Sequence, residues 1–293
     1  MFNAGPADLT APERPLRVTR AVRRVFDGRS DTALDPELRI FLSDMVRPYG
    51  LALREDLLTA GVGHSYGEMA APLIAEATSA DEPVDVLVLA FAMHDLRLGR
   101  ATSVYLSNLC PGGPMAFAVC DQGSAAAFTA LRLIREYSRS GACRRALLLV
   151  LEQSVLHYEP AGPAEIPARH AGVALLCDDA GGAALSGARQ HADVAVGQVA
   201  TLLAEDLGAL TAGRTDVTLI LGGGLAALAD AGLAERVRIA PEGQPYTGVW
   251  WELAGALDHD DPGLTVFADH DPNLRYLCVS ALDTVAARQE QPA

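Results

Sequence analysis

A mostly parallel α/β sheet covered on both faces is the architecture this sequence predicts, from three observations. Short, near-continuous apolar runs at residues 84–92, 146–151 and 217–221 read as strands buried on both sides. Helical patterns separate them, as crossovers between parallel strands require. Half of the 293 residues are hydrophobic but only 5% are aromatic. The core must therefore be built from small and aliphatic side chains, which suits helices packed closely on sheets.

Taken in order, residues 1–35 mix Pro, Arg and Asp and read as a loose or partly helical lead, and residues 36–62 read as helical. The run VDVLVLAFA at 84–92 is a strand. A second strand, MAFAVC at 115–120, follows the turn PGGP at 111–114. The next helix sets Ala126, Ala130, Leu133 and Tyr137 on one face and Arg132, Arg135, Glu136 and Arg139 on the other, and Ser140-Gly141 ends it. ALLLVL at 146–151 is a continuous apolar strand, and Pro160, Pro163 and Pro167 mark a loop. A strand at 171–177 turns at 178–182, and a helix is expected at 194–210. The strand at 217–221 runs into Gly222-Gly223-Gly224 and a helix to about residue 236. Strands at 264–268 and 275–280 close the chain as a pair.

Charge and cysteine content exclude several function classes. Lys and Arg total 23 against 37 Asp and Glu, a net charge of −14. Nucleic acid and anionic membrane both demand clustered positive charge, so neither is an expected partner. The five cysteines are scattered and none forms a CxxC pair. That excludes a disulfide scaffold or zinc ribbon and fits a reducing cytoplasm. The N-terminal stretch is polar and Pro-broken, unlike a signal peptide, and no apolar run has the ~20 residues of a membrane span. The acidic runs Asp258-His259-Asp260-Asp261 and Asp269-His270-Asp271 read as solvated loop tips rather than metal ligands, because adjacent ligands in a turn point apart. No metal and no cofactor is expected.

Three motifs bear on chemistry. Gly63-His64-Ser65-Tyr66-Gly67-Glu68 resembles the nucleophile elbow of malonyl-type acyltransferases. The stretch before it is amphipathic rather than strand-like, so Ser65 is expected to cap a helix with Glu68 completing a capping box. Gly222–Ala227 follows a strand and fits GxGxxA, a dinucleotide-binding pattern. The third motif, residues 115–152, holds the strand Ala116-Phe117-Ala118-Val119, a tight polar turn Asp121-Gln122-Gly123-Ser124, and a helix ending in Ser140-Gly141. A strand ending at Glu152 follows.

This third pattern resembles the thiolase superfamily, in particular ketosynthases of the β-ketoacyl-ACP synthase III type. The likeness extends over residues 80–293. It implies a layered αβαβα fold of two related halves, 1–185 and 186–293, packed as one compact unit. In that family a nucleophile lies at the N-terminus of a buried helix, where amide N–H groups stabilise negative charge. The resemblance puts Ser124 at that position, with Cys120 at the strand end as a weaker candidate. His157 and His170 are the possible bases. Gln122, Gly222, Gly223 and Thr247 are the expected substrate contacts. The family's His position falls on Gly222 and its Asn position on Thr247, so the groups that activate a malonyl thioester are missing and decarboxylative condensation is not expected.

The reading that follows is a non-condensing partner or auxiliary subunit of polyketide or fatty-acyl biosynthesis, comparable to a chain-length factor. One alternative is an acyltransferase that uses Ser124 to move an acyl group from CoA or a carrier protein. Another is a dinucleotide-binding protein using Gly222–Ala227. The expected partners are acyl carrier protein or acyl-CoA, together with a homodimer mate or a ketosynthase joined through residues 115–119. Arg132, Arg135, Arg139, Arg144 and Arg145 could form a carrier-binding patch.

Overall fold

The computed structural model describes residues 16–97, 99–162, 164–258 and 263–284. The first half supplies β1 (Arg17–Phe26), α1 (Pro36–Val46), α2 (Glu55–Ala60), α3 (Tyr66–Ala77), β2 (Val86–Ala90) and α4 (Thr102–Leu109). It continues with β3 (Met115–Val119), α5 (Ala126–Arg139), β4 (Ala146–Glu152) and β5 (His170–Asp178). Next come β6 (Ala183–Leu185), β7 (Arg189–His191), α6 (Val196–Thr211), β8 (Val217–Leu221) and β9 (Arg236–Ile239). Last are α7 (Gly248–Asp258), β10 (Leu264–Asp271) and β11 (Tyr276–Asp283).

The strand order reveals a repeat. β3-β2-β4-β5-β1 run side by side, and β9-β8-β10-β11 with β6 and β7 repeat that order. β2 is parallel to β3 and β4, and β8 is parallel to β9 and β10. β5 and β11 are the antiparallel members of their sets. β6 pairs with both β1 and β11 and forms the seam between them.

Side-chain alternation along the strands then defines five layers. Leu147, Leu149 and Leu151 of β4 pack with α3 in one outer core. Leu148 and Val150 face the opposite way and share a core with Phe128 of α5, Trp250 of α7 and Phe267 of β10. Val266 and Ala268 of β10 turn to a third core with Leu203 and Leu207 of α6. The order is therefore helix, sheet, helix, sheet, helix, with α5 and α7 in the middle. Phe128, Trp250 and Phe267 meet there, ring centroids 4.9–5.8 Å apart.

Four local expectations are corrected. Residues 17–26 form strand β1 rather than a loose or helical lead, antiparallel to β5 from Arg17↔Asp178 to Phe26↔His170. The arginines of β1 are tolerated because they reach backbone carbonyls elsewhere: Arg20 at Glu76 (3.3 Å) and Arg23 at Trp251 (2.9 Å). On α5 the buried face is Ala126, Ala127, Ala130, Leu131 and Ile134, while Leu133 is exposed. After β8 the chain makes a short 3-10 turn, Gly223–Leu228, and then β9, in place of a helix to residue 236. Asp269, His270 and Asp271 lie inside β10 and are 6%, 4% and 7% exposed, so they are not solvated loop tips. The companion run 258–261 continues past Asp258 outside the described residues. α3 begins as expected, with Ser65 capping it and Glu68 closing the box: Ser65 N–H donates to Glu68 Oε2 at 2.7 Å.

Candidate active site

β3 delivers the chain into a strained turn. Asp121 has φ 59° and Gly123 has φ 52°, the left-handed region that costs a non-glycine residue about 1 kcal/mol or more. The turn brings Ser124 to the entrance of α5, buried in the middle layer at 8% exposure. A cavity of about 620 Å³ opens beside it, lined by Ser124, Glu165, Gly223, Tyr246, Asp269 and Asp271. The rest of the wall includes residues 239–245, with Glu242, and His270, whose buried Nε2 has no hydrogen-bond partner among the described residues. Among the described residues no Lys or Arg lines the cavity, which presents four acidic side chains.

One of these acidic groups, Asp271, bonds Ser124 directly. The Ser124 N–H donates to Asp271 Oδ2 (3.3 Å), and the Asp271 carboxylate fills the place a side chain at Gly123 would need. Asp271 is itself held by the N–H groups of Asn273 (3.0 Å) and Leu274 (2.9 Å). Asp269 accepts the His270 N–H at 2.8 Å and lines the cavity together with Ser124. Burial, with Asp271 and Glu165 adding repulsion, pushes the Asp269 carboxyl up to about 8. Glu165 is also raised, by burial and then by Asp271.

The other expected residues lie around this centre rather than in it. Cys120 Sγ donates to Asp121 Oδ2 (3.3 Å), and burial and Asp121 raise its thiol, which opposes thiolate formation. Gln122 accepts the Thr129 hydroxyl (2.6 Å), which ties it to α5 outside the cavity lining. Gly222 packs against the Asp269 carboxyl group and Gly224 against the His270 carbonyl, so these glycines permit close approach of the 3-10 turn and β10 rather than opening an anion cradle. Gly223 lines the cavity with open space beside it. Thr247 is fully buried, its hydroxyl donated to Glu152 Oε1 at 2.5 Å.

His157 and His170 sit apart from Ser124. His170 shares its face of β5 with Gly172 and Ala174, toward α3, whereas Ala171 and Val173 face the middle layer. Its ring meets His64 edge-on at 5.3 Å. Its Nδ1 accepts the Ser154 N–H (3.0 Å), so the neutral ring carries its proton on Nε2 and is a donor to Ser154 Oγ (3.3 Å). Burial and the neighbouring histidines lower His170 to about 4. His157 donates from Nε2 to the Val62 carbonyl (2.7 Å), and burial lowers it as well.

The arginines expected to form a patch are all engaged. Arg144 pairs with Asp179 (3.4 Å), Arg145 with Asp178 (2.7 Å) and Arg139 with Glu136 (3.0 Å). Arg132 donates to Gln190, and Arg135 packs over Gly187. The acidic residues Asp269 and Asp271, central to the cavity, escaped sequence reasoning because their charge and the following Pro272 signal an exposed turn.

No family profile matches the chain, and no curated protein matches it in sequence. Solved structures do. AbyA1, a tetronic acid condensing enzyme, superposes with a TM-score of 0.64 at 19% identity, over 92% of this chain and 99% of that one. ChlB3, an acyltransferase, gives 0.61 at 14% identity, over 92% and 98%. The 3-oxoacyl-(acyl carrier protein) synthase III FabH of Pseudomonas aeruginosa gives 0.59 at 17%, over 92% and 98%.

This is the thiolase fold. The thiolase fold accounts for the repeated strand order and for a cavity at the junction of the two strand sets. Within it, the helix entrance carries Ser124, and Gly222 and Thr247 stand at the positions that the sequence resemblance aligns with the family's His and Asn. Among the described residues, no helix is long and apolar enough to cross a membrane.

Proposed function

We propose that the protein is a ketosynthase-III-like, non-condensing subunit of polyketide or fatty-acyl biosynthesis, acting as partner or auxiliary to an active ketosynthase as a chain-length factor does. The observation that carries this reading is the hydrogen bond from Ser124 N–H to Asp271. An acyl thioester needs free N–H groups at this helix entrance to stabilise its oxyanion, and here the amide is spent on a carboxylate. Carboxyl groups also line the cavity with no Lys or Arg among the described lining residues to offset them, which disfavours an anionic malonyl-derived enolate. Gly222 and Thr247 stand where the resemblance expects a His and an Asn, so the family's usual pair is not available to promote decarboxylation. The same acidic groups oppose a dinucleotide's pyrophosphate at Gly222–Ala227.

Partner contact is best supported at β3. It is an edge strand, with Met115, Ala116 and Phe117 half-buried and Ala118 exposed, and its outer edge can pair with a second chain. The proposed division into halves 1–185 and 186–293 is supported by the seam strand β6, which ends at Leu185.

The test is carbon dioxide release from malonyl-CoA and malonyl-carrier protein. The proposal expects none above background alone, and turnover in the presence of a cognate ketosynthase. Turnover by the isolated protein would refute it. A second reading, acyl transfer through Ser124, is favoured by Asp269, which lines the same cavity as Ser124 and whose ionised form could take the hydroxyl proton. It expects an acyl-Ser124 adduct that increases as the pH rises through 8.

A further inference from the structure

One carboxylate ties the first strand set to the cavity wall. Glu152 closes β4 on its middle-layer face and is 1% exposed. Its Oε2 accepts the N–H groups of Tyr246 (3.0 Å) and Thr247 (3.1 Å), and its Oε1 accepts the Thr247 hydroxyl (2.5 Å). Gln244 Nε2 donates to Thr247 Oγ1 (3.1 Å) and completes the knot. These residues enter α7, and Gln244 and Tyr246 belong to the cavity lining. The other ties of this segment are single contacts: Ala168 N–H to the Gly243 carbonyl (2.8 Å) and Tyr246 hydroxyl to the Glu165 carbonyl (3.2 Å).

We propose that Glu152 is the positioning residue of the cavity: it fixes the wall segment 241–247 and holds the Thr247 hydroxyl away from the cavity. The inference rests on the cavity being the functional site proposed above. Its physical basis is satisfaction of buried donors. Two amides and a hydroxyl, all withdrawn from water, converge on one side chain, and leaving any of them unpaired is costly.

The clamp is also tied to pH. Burial pushes the Glu152 carboxyl up to about 7, against the downward pull of Thr247, Tyr246 and Gln244. The titratable groups sharing its field are the phenols of Tyr66 on α3 and Tyr246 on the wall, both driven upward by burial. Ionised, Glu152 accepts every bond at once. Protonated, it holds a proton of its own and competes with the Thr247 hydroxyl.

The chain carries its own reporters: its two tryptophans, Trp250 and Trp251, lie in the first turn of α7. In the full-length protein, tryptophan emission should titrate with a midpoint near 7. Glu152→Gln keeps an acceptor for both amides and should abolish that titration. Its Tyr246 and Thr247 amides should exchange within about threefold of wild type, whereas Glu152→Ala should speed them about tenfold or more. Unchanged exchange in Glu152→Ala, or a titration that survives in Glu152→Gln, would overturn the assignment. Should Glu152→Ala not fold, the comparison of wild type with Glu152→Gln decides alone. Both readouts need no ligand, so they separate failure of the clamp from failure of the acyl-handling reading, which acetyl-CoA binding measures independently.

Discussion

Replacing Asp269 by Asn should change how stability depends on pH, by an amount the structure sets. The native carboxyl is raised from 3.8 to about 8, first by burial and then by Asp271 and Glu165. Between those values the folded protein keeps a proton that the unfolded chain has released. Stability from this group is therefore complete below about pH 4 and lost progressively as pH rises through 8. The slope is ~1.4 kcal/mol per pH unit, and the whole range is on the order of 5 kcal/mol. Asn is nearly isosteric, and its carbonyl can still accept the His270 N–H now held at 2.8 Å. Urea unfolding of both proteins at pH 5, 6 and 7 gives the comparison. The difference, variant minus wild type, should shift in favour of the variant by ~1.4 kcal/mol per unit. Any constant penalty of the substitution cancels, as does the titration of Glu152, which both proteins share. A difference that does not vary with pH would show that Asp269 is ionised throughout, and the account of the cavity's electrostatics would fail.

Two further substitutions probe the frame of the site. Gly222→Ala places a methyl group against the Asp269 carboxyl group, and should lower stability by about 1–3 kcal/mol in denaturant unfolding; an unchanged midpoint would mean the β8–β10 junction is loose. Ser65→Ala removes the cap of α3 and its bonds with Glu68 and Thr32 (3.3 Å), and should cost about 1–2 kcal/mol without altering the Ser124 cavity; a loss below a few tenths would contradict the capping box.

What the sequence made legible follows from how local each signal is. β2, β4 and β8 are buried along their whole length, so their apolar runs announce them. The capping box at Ser65 is complete within four residues. The turn into α5 was likewise readable, because strand, polar turn and helix are contiguous. β1 was hidden by its arginines, whose partners at Glu76, Trp251 and Gly182 lie far along the chain. The acidic residues of the cavity were hidden for the same reason. Nothing local distinguishes Asp269 and Asp271 from an exposed turn, since Ser124, whose N–H binds Asp271, is 147 residues away. Glu152 stood at the end of a predicted strand, but its partners Tyr246 and Thr247 follow 94 and 95 residues later. The separation of His170 from Ser124 depends on which face of β5 meets the middle layer, a tertiary choice that alternation alone does not specify.

The central claim is that Ser124 stands at the thiolase-fold helix entrance with its amide committed to Asp271. Intact-protein mass spectrometry at pH 7, after exposure to acetyl-CoA and to acetyl-carrier protein, addresses it most directly. The account predicts an unmodified chain with either donor. An acetyl adduct that disappears in Ser124→Ala would contradict it and establish Ser124 as a working nucleophile.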